Sequence, residues 1–139
     1  MLKESKLFHG YFLSSNAFYI ERGNPRGSIL TLQQAAQFVK QTNRGLIIFP
    51  EGTRSEAGTT GKYQPGGVIL AHKAESGILP LAHNAGALWP KRGFIKKPGT
   101  ITFRFLPYIS AGEVNSVHRT ELLKKLERDI ESATRELGG

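Results

Sequence analysis

Glu51-Gly52-Thr53-Arg54-Ser55 gathers a carboxylate, a glycine, two hydroxyls and a guanidinium directly after the apolar run Leu46-Ile47-Ile48-Phe49 and Pro50. A proline cannot continue a strand's hydrogen-bond ladder, so the run ends there and the polar segment leaves it as a loop. Gly52 lets backbone approach a ligand closely, Thr53 and Ser55 bring hydroxyl donors, and Arg54 brings a planar fork that fits two phosphate oxygens. Residues of these types describe an oxyanion receptor. Arg22 ends the earlier run Ala17-Phe18-Tyr19-Ile20. If the two runs are parallel strands, Arg22 points at the same crevice, because ligands of open α/β sheets sit beyond the carboxyl ends of the strands. Two guanidiniums would then share one phosphate. The plainer reading is a polar surface loop in which Arg54 pairs with Glu51.

Lys62, Gly66 and Gly67 follow the loop and either extend it as a cradle of backbone amides and an ammonium, or form a solvated turn. Glu51 is a poor general base for an alcohol, since a carboxylate beside Arg54 is held ionised. Its expected role is to bond acceptor hydroxyls or to fix Arg54. His83 follows an apolar run with nothing nearby in sequence to orient it, and takes no catalytic assignment. Trp89, Lys91, Arg92, Phe94, Lys96 and Lys97 combine aromatics and cations in a way that suits an anionic bilayer, a solvated hairpin or single-stranded nucleic acid. No nucleic-acid motif accompanies them, so a nucleic-acid partner is not expected.

The elements that must position these residues follow the hydrophobic pattern. Residues 17–20 and 46–49 read as buried strands, and the helical spacing of Leu32, Ala35, Ala36 and Val39 predicts a helix between them. Thr31 and Gln34 make its capping box and Asn43-Arg44-Gly45 its stop. The result is a βαβ unit. A further helix is expected over 68–74, a third strand over 78–82 and a half-buried strand over 100–105, whose side chains alternate. Leu122, Leu126, Ile130, Ala133 and Leu137 form the apolar stripe of a packed C-terminal helix. The expected fold is a single α/β domain over 1–139, with a mixed, mostly parallel sheet flanked by helices.

With 139 residues, 39% of them hydrophobic, the chain has the size of one domain. The absence of cysteine removes disulfides and thiolate chemistry. No apolar run approaches the roughly 18 residues of a spanning helix. A net charge of +8 calls for an anionic partner.

Phe49-Pro50-Glu51-Gly52-Thr53-Arg54-Ser55 resembles, residue for residue, the third sequence block of the 1-acyl-sn-glycerol-3-phosphate acyltransferases and their glycerolipid relatives. Residues 17–22 resemble that family's second block, an apolar run followed by arginine, and Ile78-Leu79-Pro80-Leu81 resembles its fourth. Residues 89–91 and 97–100 are similar to bacterial members. The resemblance implies acyl transfer from coenzyme A or acyl carrier protein to the free hydroxyl of a lysophospholipid, with lysophosphatidate the expected acceptor. No bound cofactor is implied. Arg22, Glu51, Gly52, Thr53, Arg54, Ser55 and Lys62 would hold the acceptor. The setting implied is the cytoplasmic face of a membrane, with this chain peripheral to it.

One part of the family pattern is missing. Its first block is His-x-x-x-x-Asp, a general base and the carboxylate that orients it. His9, His72, His83 and His118 are followed five positions on by Ser14, Gly77, Leu88 and Leu123, and the only aspartate is Asp129. Met1 to Leu13 resembles the stretch between the first two blocks, so the expectation is a chain truncated before its catalytic pair and inactive alone. The alternative is a non-catalytic lipid-phosphate binding module.

Overall fold

The computed structural model describes residues 18, 25–53, 55, 56, 58–90 and 96–138. The first helix, α1, runs Pro25–Thr42, starting well before the capping box expected at Thr31. Proline is at home in a helix's first turn, where its missing N–H would have had no partner, so Pro25 can open the helix. It stops where expected. Asn43 takes a left-handed conformation (φ 52°) and its N–H donates to Val39 O at 2.9 Å.

Helix α2 (Gly66–Ala74) is apolar on nearly every side and sits between two clusters. Leu70 and Ala74 pack with Leu32, Ala35 and Ala36 of α1, while Leu46 and Phe18 flank that cluster. Phe18 also meets Phe38 edge-on, with ring centroids 5.6 Å apart. From the other side of α2, Val68 and Ala71 pack with Ile109, Val114, Leu122 and Leu126. The last three belong to α4 (Ala111–Ser116) and α5 (Arg119–Glu136). Leu122 and Leu126 of the stripe expected on the C-terminal helix therefore wall the larger cluster, and Ala133 is buried as well. Ser110 and Glu113 form a capping box at α4, each bonding the other's backbone N–H.

The sheet differs from the expectation. Among the described residues it has two strands, β1 (Leu81–His83) and β2 (Phe103–Phe105), paired antiparallel. The mostly parallel arrangement is not formed by these residues. Leu46 to Phe49 belongs to no strand, and Ile47 and Phe49 are 87% and 70% exposed. An apolar run becomes a strand only when a neighbour takes its backbone groups. The other expected member of the unit, 17–20, lies outside the described residues apart from Phe18.

An isolated bridge pairs Ile78 with Ile109, one residue out of step with the Leu81–Phe105 register. Leu106 N donates to Pro80 O within the step. Beyond β1 the ribbon continues. Asn84 Oδ1 accepts from Thr102 N at 2.8 Å and its Nδ2 donates to Thr100 O and Leu137 O. A short α3 (Ala85–Leu88) follows, and Lys97 N donates to Leu88 O at 2.9 Å.

The alternation over 100–105 is present but inverted. Ala82 is buried and its cross-strand partner Arg104 pairs with Glu136 of α5 at 2.6 Å. Phe103 and Phe105, on the opposite face, are 59% and 66% exposed. Helix α5 covers the face that carries the small residue and the ion pair.

Candidate functional site

Residues 50–64 form a loop with a closed neck. Pro50 O accepts from Gln64 N at 2.7 Å, so the chain leaves residue 49 and returns beside it to start α2. Compact loops whose ends meet in this way are frequently functional. The first turn is tight: Gly52 N donates to Phe49 O at 3.0 Å. Gly52 has φ +64°, a conformation glycine adopts without a Cβ penalty.

Glu51 organises the loop's interior. Its Oε2 accepts from the Ser55 hydroxyl and, at 3.1 Å, from Gly61 N. A Cβ on Gly61 would run into both the Glu51 carboxylate and Ser55 Oγ, so that position needs glycine for close approach. The Glu51 carboxylate thus ties residue 55 to residue 61 across the loop. Ser55 is oriented by Glu51, while Gly52, Thr53 and Lys62 are exposed on the loop's outer side. Arg22 and Arg54 lie outside the described residues. Five of the expected site residues, Glu51, Gly52, Thr53, Ser55 and Lys62, therefore stand on one folded loop.

A second carboxylate holds the loop to the body of the protein. Glu131 of α5 accepts from Tyr63 OH at 2.9 Å through Oε1 and from Thr60 Oγ1 at 3.0 Å through Oε2. Tyr63 is 4% exposed. Burial, reinforced by the bond to Glu131, pushes its phenol far above the usual tyrosine range and keeps it neutral. Sequence reasoning passed over this clamp. Glu131 looks like any solvated charge on an amphipathic helix. Tyr63 carried the available signal, as a lone large side chain in a stretch of Gly, Thr and Ser.

Helix α2 begins immediately beyond the neck. Its N-cap residue, Pro65, makes no side-chain cap, and Ile48 packs over Gly67 at the position a Cβ would contact. Helix N-termini present N–H groups and partial positive charge to anions. The turn at Gly52 and the start of α2 thus follow from one neck, on its two sides.

The Acyltransferase family model matches residues 1–84, which include the whole loop. The chain belongs to the acyltransferase family. A 1-acyl-sn-glycerol-3-phosphate acyltransferase of Pseudomonas aeruginosa is 43% identical over 82 residues, covering 59% of this chain and 32% of its own length. One from Limnanthes douglasii is 35% identical over 95 residues, with 68% and 34% covered. One from Saccharomyces cerevisiae is 27% identical over 136 residues, with 94% and 45% covered. The chain spans about a third of the length of the first two relatives. No solved structure matches it.

In this acyltransferase chain the described histidines each meet a neighbouring group. His83 Nδ1 accepts from Ala85 N at 3.2 Å, and its ring meets Phe103 edge-on. With Nδ1 accepting, the neutral ring carries its proton on Nε2. His118 caps α5 through Thr120 N. His72 Nδ1 lies 3.1 Å from Asn115 Oδ1. His9 is outside the described residues. Asp129 is held below its usual range by Lys125, 2.7 Å away, with Arg128 at 3.0 Å adding to it. Among the described residues no three His, Asp or Glu side chains are grouped as a metal site requires, and no helix is long and apolar enough to cross a membrane.

Proposed function

We propose that this chain supplies the acceptor-phosphate half of a glycerolipid O-acyltransferase that converts lysophosphatidate to phosphatidate. The loop held by Glu51, at a neck where an uncapped helix begins, is the observation that carries this reading. In this reading Gly52, Thr53 and Arg54 take the phosphate with Arg22 as the second guanidinium, Ser55 is held by Glu51 within the loop, and Lys62 adds an ammonium at the rim. Glu51 acts by keeping the loop folded rather than as a base, since its carboxylate already accepts two hydrogen bonds inside the loop. In the reaction the acceptor hydroxyl oxygen bonds the thioester carbonyl carbon, the carbon–sulfur bond breaks, and the hydroxyl proton ends on the released thiol of coenzyme A or acyl carrier protein. The chain holds no His-x-x-x-x-Asp pair to take that proton first, so by itself it binds acceptor without transferring acyl groups. The same reading places it at the cytoplasmic surface of a membrane, with residues 46–49 joining a wider, mostly parallel sheet; the exposure of Ile47 and Phe49 supports that extension.

Calorimetric titration with a short-chain, monomeric lysophosphatidate tests the proposal. Arg54→Ala is expected to weaken binding about 10- to 100-fold, the range for a charge-assisted phosphate contact. Equal affinity for lysophosphatidylcholine, or binding indifferent to Arg54→Ala, would overturn it. The missing pair also favours a second reading, a lipid-phosphate binding module with no reaction. Acyl transfer by the full natural product of the locus rules that module out, and its absence there rules out the enzyme.

A further inference from the structure

A series of contacts joins the C-terminal helix to the interior of the loop over residues 50–64. Glu131 of α5 accepts from Thr60 Oγ1 at 3.0 Å and from Tyr63 OH at 2.9 Å. Between those two residues lies Gly61, whose N–H donates to Glu51 Oε2 at 3.1 Å. The same Glu51 oxygen accepts from the Ser55 hydroxyl, and Gln64 N closes the neck onto Pro50 O at 2.7 Å. Thr60 and Tyr63 bracket Gly61, so holding both of them also holds the amide that bonds Glu51. Among the described residues of the loop none lies in a helix or a strand. Segments with few backbone bonds of their own open at low cost, so the shape of this one depends on such cross-loop ties.

We infer that Glu131 is a positioning residue for acceptor binding: by holding Thr60 and Tyr63 it keeps Gly61 against Glu51, and so keeps the segment after Glu51 in place to receive a phosphate. The inference rests on the acceptor role proposed above for this loop. It adds a residue from outside the segment that the family model matches, which ends at residue 84. Both Glu131 oxygens are engaged by loop hydroxyls, so the carboxylate acts through the loop and not on the ligand. Its charge makes that role separable from electrostatics. A carboxylate near a phosphate repels it, so deleting the charge alone would tighten binding. Deleting a positioning contact instead lowers the fraction of competent loops, and apparent affinity falls with that fraction. The two effects have opposite signs.

Calorimetry with short-chain, monomeric lysophosphatidate, paired with amide hydrogen exchange at Gly61, tests this on the full chain. Glu131→Ala weakens binding about tenfold, on the scale of one hydrogen bond, and speeds Gly61 exchange, because that amide is released whenever the loop opens. Glu131→Gln keeps one oxygen that can accept, so it recovers part of both readings and weakens binding about threefold; it also carries the test if the alanine variant loses its helical circular dichroism. Ser110→Ala lowers stability by removing the cap of α4 and leaves both readings at their wild-type values, which separates positioning from a general loss of stability. Three results would each overturn the inference: binding by Glu131→Gln as tight as wild type or tighter, Gly61 exchange unchanged in both Glu131 variants, or Ser110→Ala weakening binding as much as they do. A wild-type chain that binds no lysophosphatidate, with Gly61 exchange still governed by Glu131, would overturn the acceptor role and uphold the positioning of the loop.

Discussion

Replacing Tyr63 by phenylalanine removes one hydroxyl from the clamp that holds the loop to α5, and the structure sets the size of the effect. The hydroxyl is buried and donates to a carboxylate at 2.9 Å. Hydrogen bonds to charged groups contribute about 1.5–3 kcal/mol. Glu131 keeps Thr60 as a partner and is partly open to water, so the loss falls at or just below the low end of that range, about 1–2 kcal/mol. Glu131→Ala strands the Tyr63 hydroxyl in the interior and costs about 1–3 kcal/mol. Because both substitutions delete the same bond, the double variant costs less than their sum, by about 1–2 kcal/mol. Urea melts of the four proteins give this coupling directly. A coupling below about 0.3 kcal/mol, the scatter of independent sites, would refute the clamp. The sign of a pH effect follows too. The fold raises the Tyr63 pKa above its unfolded value, so its contribution is whole below about pH 10 and shrinks above it, by up to about 1.4 kcal/mol per pH unit. Tyr63→Phe is therefore less alkali-sensitive than wild type between about pH 10 and 12, and parallel loss in the two would contradict that assignment.

Gly61→Ala forces Glu51 and Ser55 apart; acceptor binding measured by calorimetry falls by at least about tenfold, the equivalent of one lost hydrogen bond of about 1.4 kcal/mol. Ser110→Ala removes the cap of α4 and lowers stability in urea by about 1 kcal/mol, with acceptor affinity unchanged. Leu122→Ala empties a site 1% exposed in the larger cluster and costs about 2–5 kcal/mol by thermal or urea melting. Glu113 is held below its usual range by its bonds to Ser110, so the cap's contribution is present above the ordinary glutamate pKa and lost as pH falls through the lowered one; Glu113→Gln flattens that part of an acid melt.

Local patterns carried the helices. The stripe on α5 and the stop at Asn43 were legible because they depend on near neighbours in sequence. The start of α1 was not legible, because the capping pattern at Thr31 and Gln34 drew the boundary six residues after Pro25, which suits a helix's first turn. That a loop follows Pro50 was legible from Gly52 and the polar residues around it, yet its internal wiring was not. Glu51 Oε2 faces Ser55 and Gly61, and the second of these contacts spans ten residues, beyond the reach of any local pattern. Glu131 reaches the loop across 68 residues, a distance over which periodicity says nothing. The sheet was the least legible part, since the apolar run at 46–49 and the alternating stretch at 100–105 announce burial without saying whether a partner covers them. At Phe103 and Phe105 the covered face belongs instead to Ala82 and Arg104.

Helix α2 lends Leu70 and Ala74 to one cluster and Val68 and Ala71 to the other, so both lose a wall if it unravels. Melting is then a single concerted event, and the helix that couples its two halves begins at the neck of the loop over residues 50–64. A ligand held there is felt throughout the chain: at about 100 times its Kd it adds about 2.7 kcal/mol to the stability of the whole. Occupancy of a small surface loop thereby becomes readable as heat resistance of the entire molecule.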